Sequence, residues 1–115
     1  MTKPVGPYSP VVEAGEWVIV SGQLGVVEGA LVEGGVQAQT RQAIANVAAQ
    51  LASVGAELTD VVKTMCFLQH MSEFGAFNDA YVEEFGDHRP ARSTIGVAAL
   101  PLGGLVEIEA WARRS

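Results

Sequence analysis

Few side chains in this sequence have both the type and the setting for chemistry. Arg92 follows Pro90-Ala91 at the start of a β-branched stretch. Its guanidinium carries five donors in a planar fork that matches a carboxylate bidentately. The competing reading is a surface arginine solvating a loop end. Glu107 and Glu109 stand two residues apart in VEIEA, so on a strand they share a face. Such a pair can supply a general acid or base, and it is also the ordinary pattern of a solvated strand face. Ser21-Gly22-Gln23 offers a hydroxyl, but no histidine or lysine stands in the pattern to activate it, which favours plain turn chemistry. His70 and His88 fall beside helix ends, where capping or solvent exposure accounts for them. Cys66, between Met65 and Phe67, reads as a small core hydrophobe. The glycines from Gly25 to Gly35 match neither a GKS/T nor a GxGxxG phosphate loop.

The elements that must position these groups are legible from the hydrophobic period. Pro4, Gly6, Pro7 and Pro10 make the first ten residues extended or turning, which presents Tyr8 and Ser9 on irregular backbone. Trp17 to Val20 reads as a strand ended by Ser21-Gly22, with a second short strand around Ala30 to Val32. From Val36 the period changes: Ile44, Val47, Leu51 and Val54 mark the apolar face of a helix, with Gln39, Arg41, Gln42 and Gln50 mostly elsewhere on the wheel. Gly55 stands at the left-handed position that ends it. Val61 to Leu68 is a strand. Ser72 is placed to cap a second helix carrying Phe74, Phe77, Tyr81 and Phe85, which Gly86 closes. Strands at Ser93 to Ala99 and Leu105 to Ala112 complete an order of ββ(β)αβαββ. In the last strand Val106, Ile108, Ala110 and Ala112 point one way, and Glu107, Glu109 and Trp111 the other.

With 115 residues the chain makes one domain, 1–115, and 49% hydrophobic against 17% charged residues supplies a core without disulfides. Thirteen acidic and seven basic residues leave a net charge of −6, which disfavours nucleic acid as a partner. One cysteine and two separated histidines offer no metal-ligand cluster, and a reducing cytosol suits the lone thiol. The N-terminus lacks a signal-type apolar region, and no window approaches the ~18 apolar residues of a membrane span, so a soluble cytoplasmic protein is expected. The strands at 17–20 and 61–68 are apolar on both faces, yet two helices cover only one face of the sheet. Leaving the other face wet forfeits about 1.5–3 kcal/mol per large side chain, so a symmetric homo-oligomer is expected.

Beyond that point the residues form recognisable words. Gly6-Pro7-Tyr8-Ser9-Pro10, Ser21-Gly22-Gln23, Val61-Val62-Lys63-Thr64, Phe74 with Asn78 and Tyr81, Arg89-Pro90-Ala91-Arg92-Ser93, Leu100-Pro101 and Val106-Glu107-Ile108-Glu109-Ala110 occur in the order of the RidA (YjgF) family. The chain resembles that family over nearly its whole length. The resemblance implies an α+β, chorismate-mutase-like fold: a mixed sheet with two helices on one face, in a homotrimer with small-molecule sites between subunits. It implies hydrolysis of reactive enamines and imines, such as 2-aminoacrylate, 2-iminopropanoate and 2-iminobutanoate, to 2-keto acids and ammonia, without a cofactor or metal. On the same resemblance Arg92 holds the substrate carboxylate and Glu107 positions or activates water. Tyr8, Ser21, Gly22, Asn78 and Thr94 line the pocket. Many relatives carry a cysteine where this chain has Thr94, so a thiol has no role at that position and only its backbone retains one. The same pocket could instead serve a non-catalytic carboxylate-binding or regulatory trimer, or a pathway-specific deaminase of aminoacrylate-like or aminomuconate-like compounds.

Overall fold

Seven strands and two helices make up residues 4–114, the part of the chain that the computed structural model describes. Strands β1 (Val11–Ala14), β2 (Trp17–Leu24), β7 (Val106–Arg113), β5 (Val61–Leu68) and β6 (Ala91–Gly96) form one sheet in the order β1-β2-β7-β5-β6. All neighbours are antiparallel except β5 and β6, which run parallel, so the sheet is mixed. The parallel pair is joined through helix α2 (Phe74–Phe85), the crossover that parallel strands require. Helix α1 (Gly35–Ala52) packs beside α2 and against β2 and β7. The α+β fold with two helices on a mixed sheet is as the sequence implied.

The core lies between the helices and one face of the sheet. Val18, Val20, Val61, Cys66, Leu68, Val106 and Ile108 meet Ile44, Val47, Leu51 and Phe77 there, all essentially inaccessible to water. The alternation read in the last strand holds: Val106, Ile108, Ala110 and Ala112 are buried, whereas Glu107, Glu109 and Trp111 face away from the helices. At the end of α1, Gly55 has φ +76° and the Ala56 N–H donates to the Leu51 carbonyl at 2.9 Å, the six-residue closure expected of a left-handed glycine. Gly86, with φ +64°, ends α2.

Several boundaries differ from the pattern-based reading, each for a tertiary reason. Strand β2 does not stop at Ser21-Gly22 but runs on to Leu24, because the two residues form a bulge between the Val20–Ala110 and Gln23–Ile108 pairs. Val11–Ala14, not expected as a strand, pairs with β2 as a sheet edge. The short strand β4 (Ala30–Leu31) belongs to a separate hairpin with β3 (Val26–Val27), turned by Glu28 and Gly29 in left-handed conformations of φ 51° and 82°. Ser72 does not cap α2; it lies inside a 3-10 turn, Met71–Glu73, and the helix starts at Phe74 with no side-chain cap. β6 begins at Ala91 and ends at Gly96 rather than spanning 93–99, since its ladder with β5 runs from Lys63–Ala91 to Leu68–Gly96. Gln39 is buried, because its Oε1 accepts the Leu105 N–H at 2.9 Å and ties α1 to the loop before β7.

The sheet face away from the helices carries Glu107 and Glu109 on its central strand β7, Ile19, Met65 and Phe67 on the strands beside it, and Val12, Trp17, Ile95 and Trp111 around them. The last four are 40–47% exposed in the single chain. No helix among the described residues is long and apolar enough to cross a membrane.

Candidate active site

Glu107 is placed by the bulge in β2. Because Ser21 and Gly22 together oppose one residue of β7, the strand bends there, and its backbone comes up against the Glu107 side chain. The N-terminal segment is tied over this bend: the Ser21 hydroxyl donates to the Ser9 carbonyl at 2.6 Å, and the Ser21 N–H donates to the Pro10 carbonyl at 2.9 Å. The result is a cavity of about 300 Å³ whose lining includes Tyr8, Ser21, Gly22, Glu107, Pro101 and Leu102. Four of the residues singled out from sequence thus meet in one place. Pro101 and Leu102 were read only as a connection between strands; Leu102 has φ +60°, a strained setting for a leucine that holds the connection against the cavity.

The Glu107 carboxyl is half-buried and held above its ordinary value of 4.5, first by the loss of solvent and second by the neighbouring Glu109 charge. Glu109 accepts a hydrogen bond from the Trp111 indole N–H at 3.2 Å. A carboxyl raised in this way is a stronger proton acceptor than an ordinary surface carboxylate.

Arg92 lies elsewhere. In the ladders Arg92 pairs with Thr64, whereas Glu107 pairs with Phe67, three residues along β5 and therefore on the opposite side of the sheet. Its guanidinium is on the helix side, 4.8 Å from the Tyr81 ring centre, 5.3 Å from Phe77 and 5.6 Å from Phe74. No carboxylate or hydrogen-bond acceptor pairs with it among the described residues. Thr94, two residues on and so on the same face, has a buried hydroxyl beside the Cys66 thiol, and Asn78 on α2 has a buried Oδ1 with no hydrogen-bond partner among the described residues. One chain therefore carries two separate features: an aromatic-walled arginine on one face, and a carboxyl-lined cavity on the other.

The remaining candidates take structural positions. Cys66 is fully buried, and burial pushes its thiol up to about 11. His88 Nε2 is bonded to the Val61 carbonyl at 2.7 Å. Among the described residues no group of three or more His, Cys, Asp or Glu side chains is placed to hold a metal ion.

A mixed sheet backed by two helices, with a half-buried carboxyl on one face and an arginine stacked on aromatic rings on the other, defines an α+β protein. The sequence matches the Endoribonuclease L-PSP family over residues 1–114, and the chain belongs to that family, known also as YjgF/RidA. It is 44% identical over 110 residues to the 2-iminobutanoate/2-iminopropanoate deaminase of Capra hircus, covering 94% of this chain and 80% of the relative. RidA from an Antarctic Psychrobacter superposes with a TM-score of 0.92 at 40% identity, over 96% of this chain and 91% of that one. Escherichia coli TdcF, solved with bound serine, superposes with a TM-score of 0.92 at 35% identity, over 97% of this chain and 91% of that one.

Proposed function

We propose that this protein hydrolyses small 2-imino acids and their enamine tautomers to 2-keto acids and ammonia, in clefts between the subunits of a homotrimer. Arg92 of one subunit takes the substrate carboxylate. Glu107 of the next accepts the proton of the attacking water, with Tyr8, Ser21 and Gly22 around it and Asn78 and Thr94 beside the arginine.

The observation that carries this reading is the opposition of Arg92 and Glu107 across one sheet. A single subunit cannot present both to one substrate, while a second copy laid on the uncovered apolar face can supply the missing half. That face bears Trp17, Ile95 and Trp111, and burying each such side chain is worth about 1.5–3 kcal/mol. Its strongest chemical support is the names of relatives at 40–44% identity.

The reaction asks for little. A protonated imine carbon is already electrophilic, so water adds to it as Glu107 takes a proton. Glu107 then returns that proton to the nitrogen, and the C–N bond breaks as the hydroxyl proton is given up and the C=O bond forms, so that ammonia leaves and the keto acid remains. An enamine first takes a proton at carbon to become the imine. Action on RNA, which the family's description suggests, sits poorly with a net charge of −6. A carboxylate-binding trimer without turnover would use the same Arg92 and give the half-buried Glu107 carboxyl no chemical task.

The test is complementation between subunits. Arg92→Ala and Glu107→Gln proteins are each expected to be nearly inactive, with threonine dehydratase as the imine source. Unfolded and refolded together in equal amounts, they should recover about a quarter of the parent activity, because one interface in four then joins an intact arginine to an intact glutamate. No recovery in mixed oligomers of confirmed composition would refute the shared site. Light scattering that gives a monomer near 12.1 kDa would refute the trimer.

A further inference from the structure

Arg92 sits on β6, at the edge of the sheet, and a long side chain there has no reason in its own strand to hold one direction. The aromatic rings supply the reason. Tyr81 is the nearest of the three, with its ring centre 4.8 Å from the guanidinium, and its hydroxyl is 2.8 Å from the Thr64 Oγ1 in a buried hydrogen bond. Thr64 is in turn the cross-strand partner of Arg92. Helix, central strand and edge strand are thereby closed into a ring of three contacts, Arg92 to Tyr81, Tyr81 to Thr64, and Thr64 to Arg92.

We propose that Tyr81 is a positioning residue for the carboxylate anchor: its ring, pinned by Thr64, fixes the direction of the Arg92 guanidinium before substrate arrives. This rests on the reading of Arg92 as that anchor. A carboxylate partner would hold the guanidinium more firmly, but it would occupy the donors that the substrate needs. A ring face attracts the charge without accepting the N–H donors in strong bonds, so the fork stays available. Burial also pushes the Tyr81 phenol above its ordinary value, which keeps the hydroxyl protonated and the ring neutral beside Arg92.

The test uses Tyr81→Leu and Tyr81→Phe in the full chain, with thermal unfolding and light scattering to establish folding and assembly. Binding of 2-oxobutanoate by calorimetry and steady-state imine hydrolysis are the readouts. Tyr81→Leu is expected to weaken 2-oxobutanoate and raise KM by about 3- to 30-fold, the range of a partly desolvated cation–π contact, with kcat changed much less. Tyr81→Phe, which keeps the ring but loses the hydrogen bond to Thr64, should recover part of that loss. In an Arg92→Ala background, Tyr81→Leu should have no further effect on binding, because Tyr81 acts only through Arg92. A merely structural role would lower kcat or the folded fraction and leave KM and 2-oxobutanoate affinity in the folded protein at parent values, and that result would overturn the proposal. If Arg92→Ala itself leaves binding intact, the anchor reading fails; if it abolishes binding while Tyr81→Leu does not weaken it, only the positioning role fails. Should the leucine variant not fold, Tyr81→Met, ringless and flexible enough to fill the gap differently, is read by the same criteria.

Discussion

The carboxylate of Glu107 occupies the space that a side chain on Gly22 would need: a Cβ at Gly22 would lie 2.7 Å from the Glu107 Cδ and 3.0 Å from its Cγ. Real Cβ atoms essentially never approach a neighbour as closely as this Cδ. The absence of a side chain at the bulge is therefore what lets the carboxyl lie down against β2 at the wall of the cavity. Because Gly22 has no positive φ, the requirement is one of space, not of backbone conformation.

Gly22→Ala should consequently push the Glu107 carboxyl out of its position while leaving the fold intact, since the obstructing atoms are the end of a flexible side chain. The expected outcome is at least about a tenfold fall in kcat for imine hydrolysis with a thermal midpoint within a few degrees of the parent. Parent-like kcat in the folded variant would show that the carboxylate need not lie where it does.

The raised Glu107 carboxyl fixes the sign of a pH effect. As a proton acceptor it works only when ionised, so kcat should climb as pH rises through its folded value, which lies above 4.5. Replacing Glu109 by Gln removes the second cause of the upward shift, so the acid limb of the profile should move to lower pH. Burial, the first cause, remains and keeps the limb above 4.5. A limb that stays put, or moves up, in Glu109→Gln would show that the titrating group is not Glu107.

How far such detail could be read beforehand depends on whether it is local. The period-two alternation of Val106 to Ala112 and the period of Ile44, Val47 and Leu51 are properties of one segment, and both were legible. The bulge at Ser21-Gly22 is a property of how β2 pairs with β7, so the sequence shows only a serine and a glycine where a strand ought to end. The same limit hides the opposition of Arg92 and Glu107: parity along each strand can be counted, but the register between β6, β5 and β7 cannot. Phe74, Phe77 and Tyr81 are visibly on one side of a helix, yet nothing local shows that this side meets Arg92. The family words supplied the candidate residues; the geometry that puts Arg92 and Glu107 on opposite faces came from the sheet.

Cys66 offers a check on the core rather than the chemistry. With the thiol pushed up to about 11, only about a thousandth is thiolate at pH 8, so alkylation of the native protein should be slow and accelerate sharply on unfolding. Cys66→Ala should cost about 1–2 kcal/mol in denaturant unfolding, because it empties a small fully buried volume beside Ile108, and should leave kcat near the parent value. Rapid labelling of the folded protein would contradict the burial of this strand.

Arg92 and Glu107 should fail in different ways. If Arg92 pairs with a substrate carboxylate in a partly desolvated cleft, Arg92→Ala should cost about 2–5 kcal/mol of transition-state binding, roughly 30- to several thousand-fold in kcat/KM. Arg92→Lys keeps the charge but gives up the fork and the broad contact with the rings of Tyr81, Phe77 and Phe74, so it should recover only part of the loss. Glu107→Gln preserves the shape of the cavity and removes the proton acceptor, so it should depress kcat while 2-oxobutanoate still binds. The discriminating measurement is thus affinity for 2-oxobutanoate alongside kcat in the three variants. Arg92→Ala should lose affinity, Glu107→Gln should lose turnover, and a folded, correctly assembled Arg92→Ala protein that hydrolyses 2-iminobutanoate as fast as the parent would remove the arginine from the reaction altogether.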